Sequence, residues 1–375
     1  TGRLSVRVER SVMPLEELTG FAARNNPKRG FLFLSRVLGK HVPVRPSLMS
    51  RVHKLLAGEV SACLDRASPV LVVGMAETAT ALGQGVFAAL GEPDSLGLYL
   101  NTTRYKLPLP RLTFMESHSH ASTHYLHLPH EAELKRVLNS ARTLILVDDE
   151  MSTGNTFVNL SRSLVPLLPG LTNIVIATLL DWLGQEARRD LYGRMPLPTG
   201  FASLLSGGFS FSPNPSFIYG APAVSERPSI DRDDLFPLPC GRRGVGQGFR
   251  FAVEEQLRKL ALPSPDKAGA LLILGTGEFM YEPFLLALRL ENMGYDVHFQ
   301  ATTRSPILPG NDVDSVLRFD DNYGERIDNF LYNVRPGQYS RIFLCCETGP
   351  LPADHVLPRR LGSEIVQFGE SVAAA

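Results

Sequence analysis

The segment that most constrains the fold of this chain spans residues 144–156, with the sequence LILVDDEMSTGNT. Its first four residues are apolar, as in a short buried strand, and Asp148 and Asp149 follow where that strand should end. A turn of small and hydroxylated residues comes next, and helical spacing of apolar residues begins near Phe157. A strand, a tight turn and a helix in this order are the basic unit of an α/β fold.

Similar apolar runs recur along the chain and predict further buried strands. These runs lie at residues 70–73, 98–100, 144–147, 174–180, 271–274, 297–300 and 342–344. Helical spacing occupies residues 78–90, 157–167 and 283–293, between predicted strands. Because strands and helices alternate, we expect α/β architecture with parallel sheets.

The length of 375 residues exceeds what one hydrophobic core usually serves, so we expect two domains. Residues 206–248 are rich in glycine, proline, serine and charge, and their periodicity is weak. We therefore place a first domain at residues 1–212, a linker at 213–247 and a second, smaller α/β domain at 248–375.

Composition and charge argue against several classes of protein. Basic and acidic residues number 38 each, so no net field attracts nucleic acid or an anionic membrane. The four cysteines lack the C-x-x-C spacing of zinc sites and are too few for a disulfide framework. No apolar run approaches the roughly 18 residues of a membrane helix, and the polar start does not read as a secretory signal. We therefore expect a cytoplasmic protein.

The turn after Asp149 has the features of a phosphate-binding site. A helix N-terminus presents unpaired N–H groups and the positive end of the helix dipole, and hydroxyls and a glycine suit close approach of an anion. The residues concerned are Ser152, Thr153, Gly154, Asn155 and Thr156. The carboxylates of Asp148 and Asp149 suit sugar hydroxyls or a bridging Mg²⁺. The alternative is a capped helix beside a solvated acidic pair.

This pattern resembles the motif that binds phosphoribosyl pyrophosphate (PRPP) in type I phosphoribosyltransferases, among them the orotate-type enzymes. The resemblance implies a Rossmann-like parallel sheet with a small hood near residues 1–50. It also implies Mg²⁺-dependent transfer of ribose 5-phosphate from PRPP to a small-molecule acceptor, with release of pyrophosphate. Asp148 and Asp149 would hold the ribose hydroxyls and, together with PRPP, the Mg²⁺, while residues 152–156 would hold the 5-phosphate. A homodimer is an open alternative to a monomer.

A loop after the predicted strand at 70–73 matches the pyrophosphate loop of these enzymes in position. Its residues are Gly74, Met75, Ala76, Glu77 and Thr78. The resemblance implies that backbone groups of this loop bind pyrophosphate. The alternative is an ordinary turn between a strand and a helix, with Glu77 as an acid in the first helical turn.

The segment after the predicted strand at 98–100 carries cations and histidines. Arg104 and Lys106 would stabilise pyrophosphate as it leaves with high charge. His118 and His120 follow in a long loop, which the resemblance assigns to a mobile lid over the substrate. One alternative is a metal site at these histidines, but Mg²⁺ prefers oxygen ligands. The other alternative is a surface loop in which the histidines are incidental.

The residues that would select the acceptor are less clearly indicated. Orotate-type enzymes usually carry Leu-Asp-Arg after the strand at 174–180, whereas this chain has Trp182 at the arginine position. This departure argues against orotate, and Trp182 either stacks on a neutral, nucleobase-like acceptor or packs in the core. Lys40 and His41 either contact an anionic acceptor or belong to a solvated basic face.

Polar residues follow three predicted strands of the second domain, and these should meet at one sheet edge. The residues are Gly275, Gly277 and Glu278, then Arg304 and Ser305, then Glu347. Arg304 and Ser305 would hold an anion with the backbone near Gly277, and the two glutamates would accept from an amine or hydroxyl. The pattern G-x-G without a third glycine indicates a dinucleotide only weakly.

Residues 303–306 read Thr-Arg-Ser-Pro. The chain thereby resembles a bacterial family in which a phosphoribosyltransferase domain precedes a domain named TRSP after this tetrapeptide. The resemblance implies an association with tellurium-resistance and stress-response gene clusters and a role in making a nucleoside-like metabolite. Two alternatives to the forward transfer stay open. The first is a PRPP-binding regulator without catalysis. The second is an enzyme of the reverse reaction that attacks a nucleotide with pyrophosphate or phosphate.

Overall fold

The computed structural model is an α/β protein, as the sequence predicts. It describes residues 1–26, 29–64, 68–91, 96–115, 123–220, 240–325, 327–347, 351 and 353–368. Strands β1 to β17 are Gly2–Ser11, Thr19–Ala23, Phe31–Ser35, Val70–Gly74, Gly97–Asn101, Arg111–Met115, Thr123–His127, Thr143–Met151, Asn173–Asp181, Thr199–Pro213, Val245–Gly246, Leu271–Gly275, Val297–Ala301, Val316–Asp320, Asp328–Tyr332, Arg341–Cys346 and Glu364–Gln367. Helices α1 to α10 are Leu15–Leu18, Pro46–Ser61, Thr80–Leu90, Ala132–Ser140, Asn155–Leu164, Gln185–Arg194, Val253–Lys259, Pro265–Ala268, Tyr281–Asn292 and Val356–Leu361.

All seven predicted strands form, and the three segments with helical spacing form α3, α5 and α9. The third predicted segment begins at residue 283, two residues after the start of α9. The second predicted segment ends in a 3₁₀ turn at Val165–Leu167. The longest described helix, α2, has 16 residues. Among the described residues, no helix combines the length and the apolar character needed to cross a membrane.

Seven strands form the main sheet in the order β1-β10-β9-β8-β4-β5-β11. The five central strands run parallel, and β1 and β11 are antiparallel edges. The first five residues of β8 are buried because layers of the protein cover both sheet faces, which explains their continuous apolar run. The N-terminal segment joins this sheet as β1, while β2 and β3 pair as a separate hairpin.

The second sheet contains four parallel strands in the order β13-β12-β16-β17. Helix α9 packs on one face, and the hairpin of β14 and β15 covers apolar residues of the other. This unit is the second, smaller α/β part that the sequence predicts. Strand β11 lies inside the predicted linker at 213–247, yet it pairs with β5 of the main sheet. The domain boundaries themselves stay a prediction.

Helix α2 lies between the two parts of the chain and packs against both α3 and α9. His53 on α2 is fully enclosed, and its ring centroid lies 5.2 Å from that of Phe284 on α9. Burial lowers the pKa of His53 to about 3. The ring is therefore neutral at pH 7.

Lys40 makes buried polar contacts between the two parts. Its side chain is 0% exposed, and Nζ lies 2.6 Å from Glu77 Oε1. Nζ also donates to the carbonyl oxygens of Gly277, at 2.6 Å, and Thr302, at 2.8 Å. Burial lowers the pKa of Lys40, and the Glu77 carboxylate opposes this effect. Burial alone would raise the pKa of Glu77, but Lys40 and two nearby arginines lower it to about 2.

Replacing Lys40 with methionine should destabilise the protein, because the change removes the charge while keeping an unbranched chain. Glu77 would lose its nearest cation, and two buried carbonyls would lose a donor. We expect the free energy of unfolding, measured by chemical denaturation, to fall by about 3 kcal/mol. The control Lys259→Met removes a lysine whose side chain is 45% exposed and should cost under ~1 kcal/mol. Equal losses would contradict the assigned role of Lys40.

His53 should make stability depend on pH. Its pKa of about 3 in the folded chain lies below the ordinary 6.5, so below pH 6.5 only the unfolded chain takes up this proton. The stability due to the neutral ring is present above pH 6.5 and is lost as the pH falls toward 3. Between pH 7 and pH 5, His53→Leu should lose about 2 kcal/mol less free energy of unfolding than the unmodified chain, in urea denaturation at both pH values. Identical losses in the two proteins would refute this explanation.

Candidate active site

A cavity of about 200 Å³ opens at the carboxyl ends of β8 and β4, the edge where parallel α/β sheets bind ligands. It brings together most of the site residues that the sequence indicates. Those lining it are Asp148, Asp149, Ser152, Thr153, Gly154, Thr156, Met75, Ala76, Glu77, Thr78, Arg104, His41, Arg304 and Ser305. Both parts of the chain therefore contribute to one cavity.

Asp148 and Asp149 lie at the end of β8, beside the loop that follows β4. The Asp149 N–H donates to Asp148 Oδ1 at 2.9 Å, and Thr78 Oγ1 donates to Asp149 Oδ1 at 3.0 Å. The next acid, Glu150, is paired with Arg29 across 2.5 Å, and burial raises the pKa of Glu150 despite this arginine. The pair at 148 and 149 thus presents carboxylate oxygens to the cavity as acceptors for hydroxyl groups.

The turn between β8 and α5 depends on Gly154. Its φ is 71°, in the left-handed region that other residues rarely adopt, and a Cβ there would lie 2.6 Å from Leu191 Cδ2. Helix α5 begins at the next residue, Asn155, whose Oδ1 accepts from Arg194 Nη1 at 2.8 Å. Asn155 is the one residue of the predicted phosphate site that does not line the cavity. The turn nevertheless places hydroxyls and a helix N-terminus at the cavity wall.

The loop after β4 is held from both sides. The Met75 N–H donates to the Val147 carbonyl at 2.9 Å, and the Ala76 N–H donates to Thr102 Oγ1 at 2.8 Å. The peptide bond between Ala76 and Glu77 is cis. Gly74 lies outside the cavity lining, and it is needed for packing because a Cβ there would lie 2.6 Å from Tyr99 Oη.

His41 lies in the cavity wall with only 4% of its surface exposed. Within the described part of the chain, neither ring nitrogen has a hydrogen-bond partner. Burial and the neighbouring Lys40 charge lower the pKa of His41 to about 3, so the ring is neutral at pH 7. A neutral imidazole offers one donor and one acceptor, and here both are unused.

Two other residues considered for acceptor contact lie elsewhere. Lys40 is not on a solvated basic face but in the buried ion pair with Glu77. Trp182 is 5% exposed and stacks on Phe33 of the β2–β3 hairpin, with ring centroids 4.6 Å apart. Trp182 follows β9 directly and packs under that hairpin, so it is a core residue.

The sequence also assigns three residues to pyrophosphate binding and to the lid. Lys106 does not line the cavity, and His118 and His120 lie outside the described residues.

The polar residues of the second sheet do not form a separate ligand site together. Glu347 accepts two bonds from the Arg242 guanidinium, at 2.6 and 2.8 Å, and Glu278 Oε2 lies 3.0 Å from Arg242 Nε. These ionic partners occupy both glutamates, which line a cavity of only about 20 Å³. Gly275 is buried at the end of β12, and the Gly277 carbonyl binds Lys40. Of the residues predicted for this site, only Arg304 and Ser305 line the cavity of about 200 Å³.

Several contributing residues escaped the sequence reasoning. Arg24 and Thr303 line the cavity, and Arg242 organises the buried network beside it. Two such residues stood out in the sequence. Glu150 is a third acid directly after the predicted pair, and Arg242 belongs to the run Gly-Arg-Arg-Gly at 241–244, which places two charges in a glycine-rich stretch. Thr303 is the first residue of the tetrapeptide at 303–306, although it was not named as a site residue. Arg24 carried no comparable signal, since its place depends on distant parts of the chain.

Two family models match the chain. The one described as phosphoribosyl transferase, PRTase_2, matches residues 18–208, and the one described as TRSP domain C terminus to PRTase_2 matches residues 239–359. No curated protein matches. Similar solved structures include adenine phosphoribosyltransferase from Rhodothermus marinus, at 19% identity and TM-score 0.32, covering 51% of this chain and 96% of that chain. Another is adenine phosphoribosyl transferase from Trypanosoma brucei in complex with AMP, pyrophosphate and ribose-5-phosphate, at 11% identity and TM-score 0.35, covering 50% and 77%.

The first family match spans half of the chain and includes the acidic pair and the turn after it. The second includes Arg304 and Ser305, which complete the same cavity. The chain therefore belongs to the PRTase_2 family of phosphoribosyl transferases and carries the TRSP domain that lies C-terminal to it.

Proposed function

We propose that this protein takes ribose 5-phosphate from PRPP, transfers it to a small, planar, nucleobase-like acceptor and releases pyrophosphate. The observation that carries the proposal is the shared cavity of the acidic pair, the 152–156 turn and the loop after β4. PRPP has a ribose between two phosphate-bearing ends. It therefore requires hydroxyl acceptors in the middle and anion-binding groups on each side, as these three elements offer. A role in making a nucleoside-like metabolite is part of the proposal and rests on the family resemblance.

Mg²⁺ fits the donor set of this cavity. Asp148 and Asp149 supply carboxylate oxygens, the ligand type that Mg²⁺ prefers. In the part of the chain that the structure describes, no group of three or more His, Cys, Asp or Glu side chains is placed to hold a metal ion. The ion would therefore share its ligands between this acidic pair and oxygens of PRPP. When bound, it would neutralise charge on the pyrophosphate.

The proposed reaction is a displacement at ribose C1, which side chains of the cavity would assist. The bond from ribose C1 to a pyrophosphate oxygen breaks, and its electron pair leaves with pyrophosphate. A nitrogen lone pair of the acceptor forms the new bond to C1, and the acceptor loses a proton. Asp148 and Asp149 would fix the ring by its hydroxyls, and Arg104 would stabilise the leaving charge. Positioning and electrostatics thus suffice without a covalent intermediate.

His41 is the best-placed group for the acceptor. Its unused donor and acceptor nitrogens are neutral and enclosed, so they match a flat ring that offers both an N–H and a lone pair at one edge. An anionic acceptor would gain little from a neutral imidazole. We therefore favour a neutral heterocycle.

The double variant Asp148→Asn, Asp149→Asn should lose turnover and bind PRPP more weakly, because amides are poorer acceptors for hydroxyls and poorer ligands for Mg²⁺. We expect pyrophosphate release to fall at least about 100-fold. The measurement is a pyrophosphate assay with PRPP, Mg²⁺ and a small-molecule cell extract, with mass spectrometry to identify the ribosylated product. Asp266→Asn serves as control, since that side chain is exposed on helix α8.

A fully active double variant would refute the roles of the two aspartates. PRPP binding without any release of pyrophosphate would instead favour a regulatory protein. Consumption of a nucleotide on addition of pyrophosphate or phosphate would identify the reverse reaction as the physiological direction.

His41→Phe should raise the KM for the acceptor found in that assay and leave the KM for PRPP unchanged. Loss of the two enclosed ring nitrogens of His41, which have no partner among the described residues, should cost about tenfold in acceptor KM. Steady-state kinetics with each substrate varied in turn measures both constants. His130→Phe, at a side chain 54% exposed, is the matched control. An unchanged acceptor KM would contradict the assignment of His41.

A further inference from the structure

The tetrapeptide that names the TRSP domain reaches the cavity of the phosphoribosyltransferase domain. Thr303, Arg304 and Ser305 follow the end of β13 and line the same cavity as the acidic pair. Thr303 exchanges two backbone hydrogen bonds with Phe330 of β15, at 2.7 and 3.0 Å. This pairing anchors the segment on the hairpin of β14 and β15, so its side chains enter the cavity from a fixed support.

The Arg304 guanidinium is held in one orientation. It lies over the Tyr105 ring, 4.8 Å from the centroid, and Nη2 donates to Tyr105 Oη and Glu325 Oε2, both at 2.8 Å. Its side chain is only 10% exposed. Nε and Nη1 have no hydrogen-bond partner among the residues described. An oriented guanidinium with unused donors is suited to bind an oxyanion through two parallel bonds.

Arg304 also touches the loop after β4. Its backbone N–H donates to Glu77 Oε2 at 3.3 Å, and its charge is one of those that lower the pKa of Glu77. The other arginine acting on Glu77 is Arg104, which also lines the cavity. Arg304 and Arg104 therefore lie on the same side of the cavity, at the loop proposed to receive pyrophosphate.

The strand order fixes how the cavity is divided. The acidic pair and the 152–156 turn follow β8, the pyrophosphate loop follows the neighbouring β4, and Arg104 follows β5 beyond it. The carboxylates at the end of β8 are hydrogen-bond acceptors, whereas Arg104 on the β4 and β5 side offers a positive charge to pyrophosphate. That is the side on which Arg304 enters.

We propose that Arg304 of the TRSP domain binds the pyrophosphate group of PRPP, so that the donor site is completed only by both domains. This inference rests on the proposed function, since it assigns a residue to one half of the PRPP molecule. Glu325 and Tyr105 act as positioning residues that orient the guanidinium. The C-terminal domain is then part of the catalytic unit and not a separate binding module.

The test compares two ligands that each carry half of PRPP. Inorganic pyrophosphate and ribose 5-phosphate are titrated calorimetrically, in Mg²⁺, into the full chain and into Arg304→Gln. We expect the variant to bind pyrophosphate about 10- to 100-fold more weakly and ribose 5-phosphate with unchanged affinity. Arg318→Gln, an arginine of the same domain with a side chain 66% exposed, should bind both ligands like the unmodified chain.

Each outcome decides the matter. Unchanged pyrophosphate affinity in Arg304→Gln, or equal weakening of both ligands, would overturn the inference while leaving the proposed function intact. An unmodified chain that binds neither ligand nor PRPP would overturn the proposed function as well.

A measurement on the unmodified chain covers the case in which Arg304→Gln does not fold. Amide hydrogen exchange of the segment 302–305 should slow when pyrophosphate is added and stay the same with ribose 5-phosphate. Exchange that is unaffected by saturating pyrophosphate would count against a contact between Arg304 and this group.

Discussion

The buried ion pair of Lys40 and Glu77 is the contact on which the arrangement of the cavity depends. Enclosing two charges costs several kcal/mol each unless good partners replace water. Here the Gly277 and Thr302 carbonyls of the second sheet complete the environment of the ammonium. Glu77 belongs to the loop after β4, so the same contact holds that loop against the second sheet. The cavity thus keeps its shape only while the two parts of the chain stay packed.

Anions in this cavity would be bound by two different kinds of group. On the β8 side, backbone N–H groups and hydroxyls surround a left-handed Gly154, a geometry that suits one phosphate of fixed size. On the β4 and β5 side, Arg104 and Arg304 contribute full charges. Because Glu325 and Tyr105 already hold the Arg304 side chain, little rotational freedom remains to be lost when a ligand binds.

Local patterns in the sequence predicted seven of the seventeen described strands and the cavity residues that follow β8 and β4. A strand buried on both faces is apolar throughout, and residues 144–156 form a contiguous unit, so both are legible without tertiary information. The environment of Lys40 could not be predicted from local patterns, because its backbone acceptors lie 237 and 262 residues further along the chain. Trp182 likewise packs on Phe33, at a distance in sequence that no periodicity reveals. Long-range partners decide whether such a residue serves the core or a ligand.

The separation of Lys40 from its carbonyl partners also matters during synthesis. A ribosome releases the chain from its N-terminus, so Lys40 and Glu77 emerge long before Gly277, which is 237 residues beyond Lys40. Strand β11, one of the two edges of the main sheet, is also late to appear. Until then a nascent chain holds a lysine without its carbonyl acceptors and a strand β5 that is paired only with β4. These contacts of the first domain can therefore form only after residues 245–302 have been translated, so the cavity is completed late in synthesis.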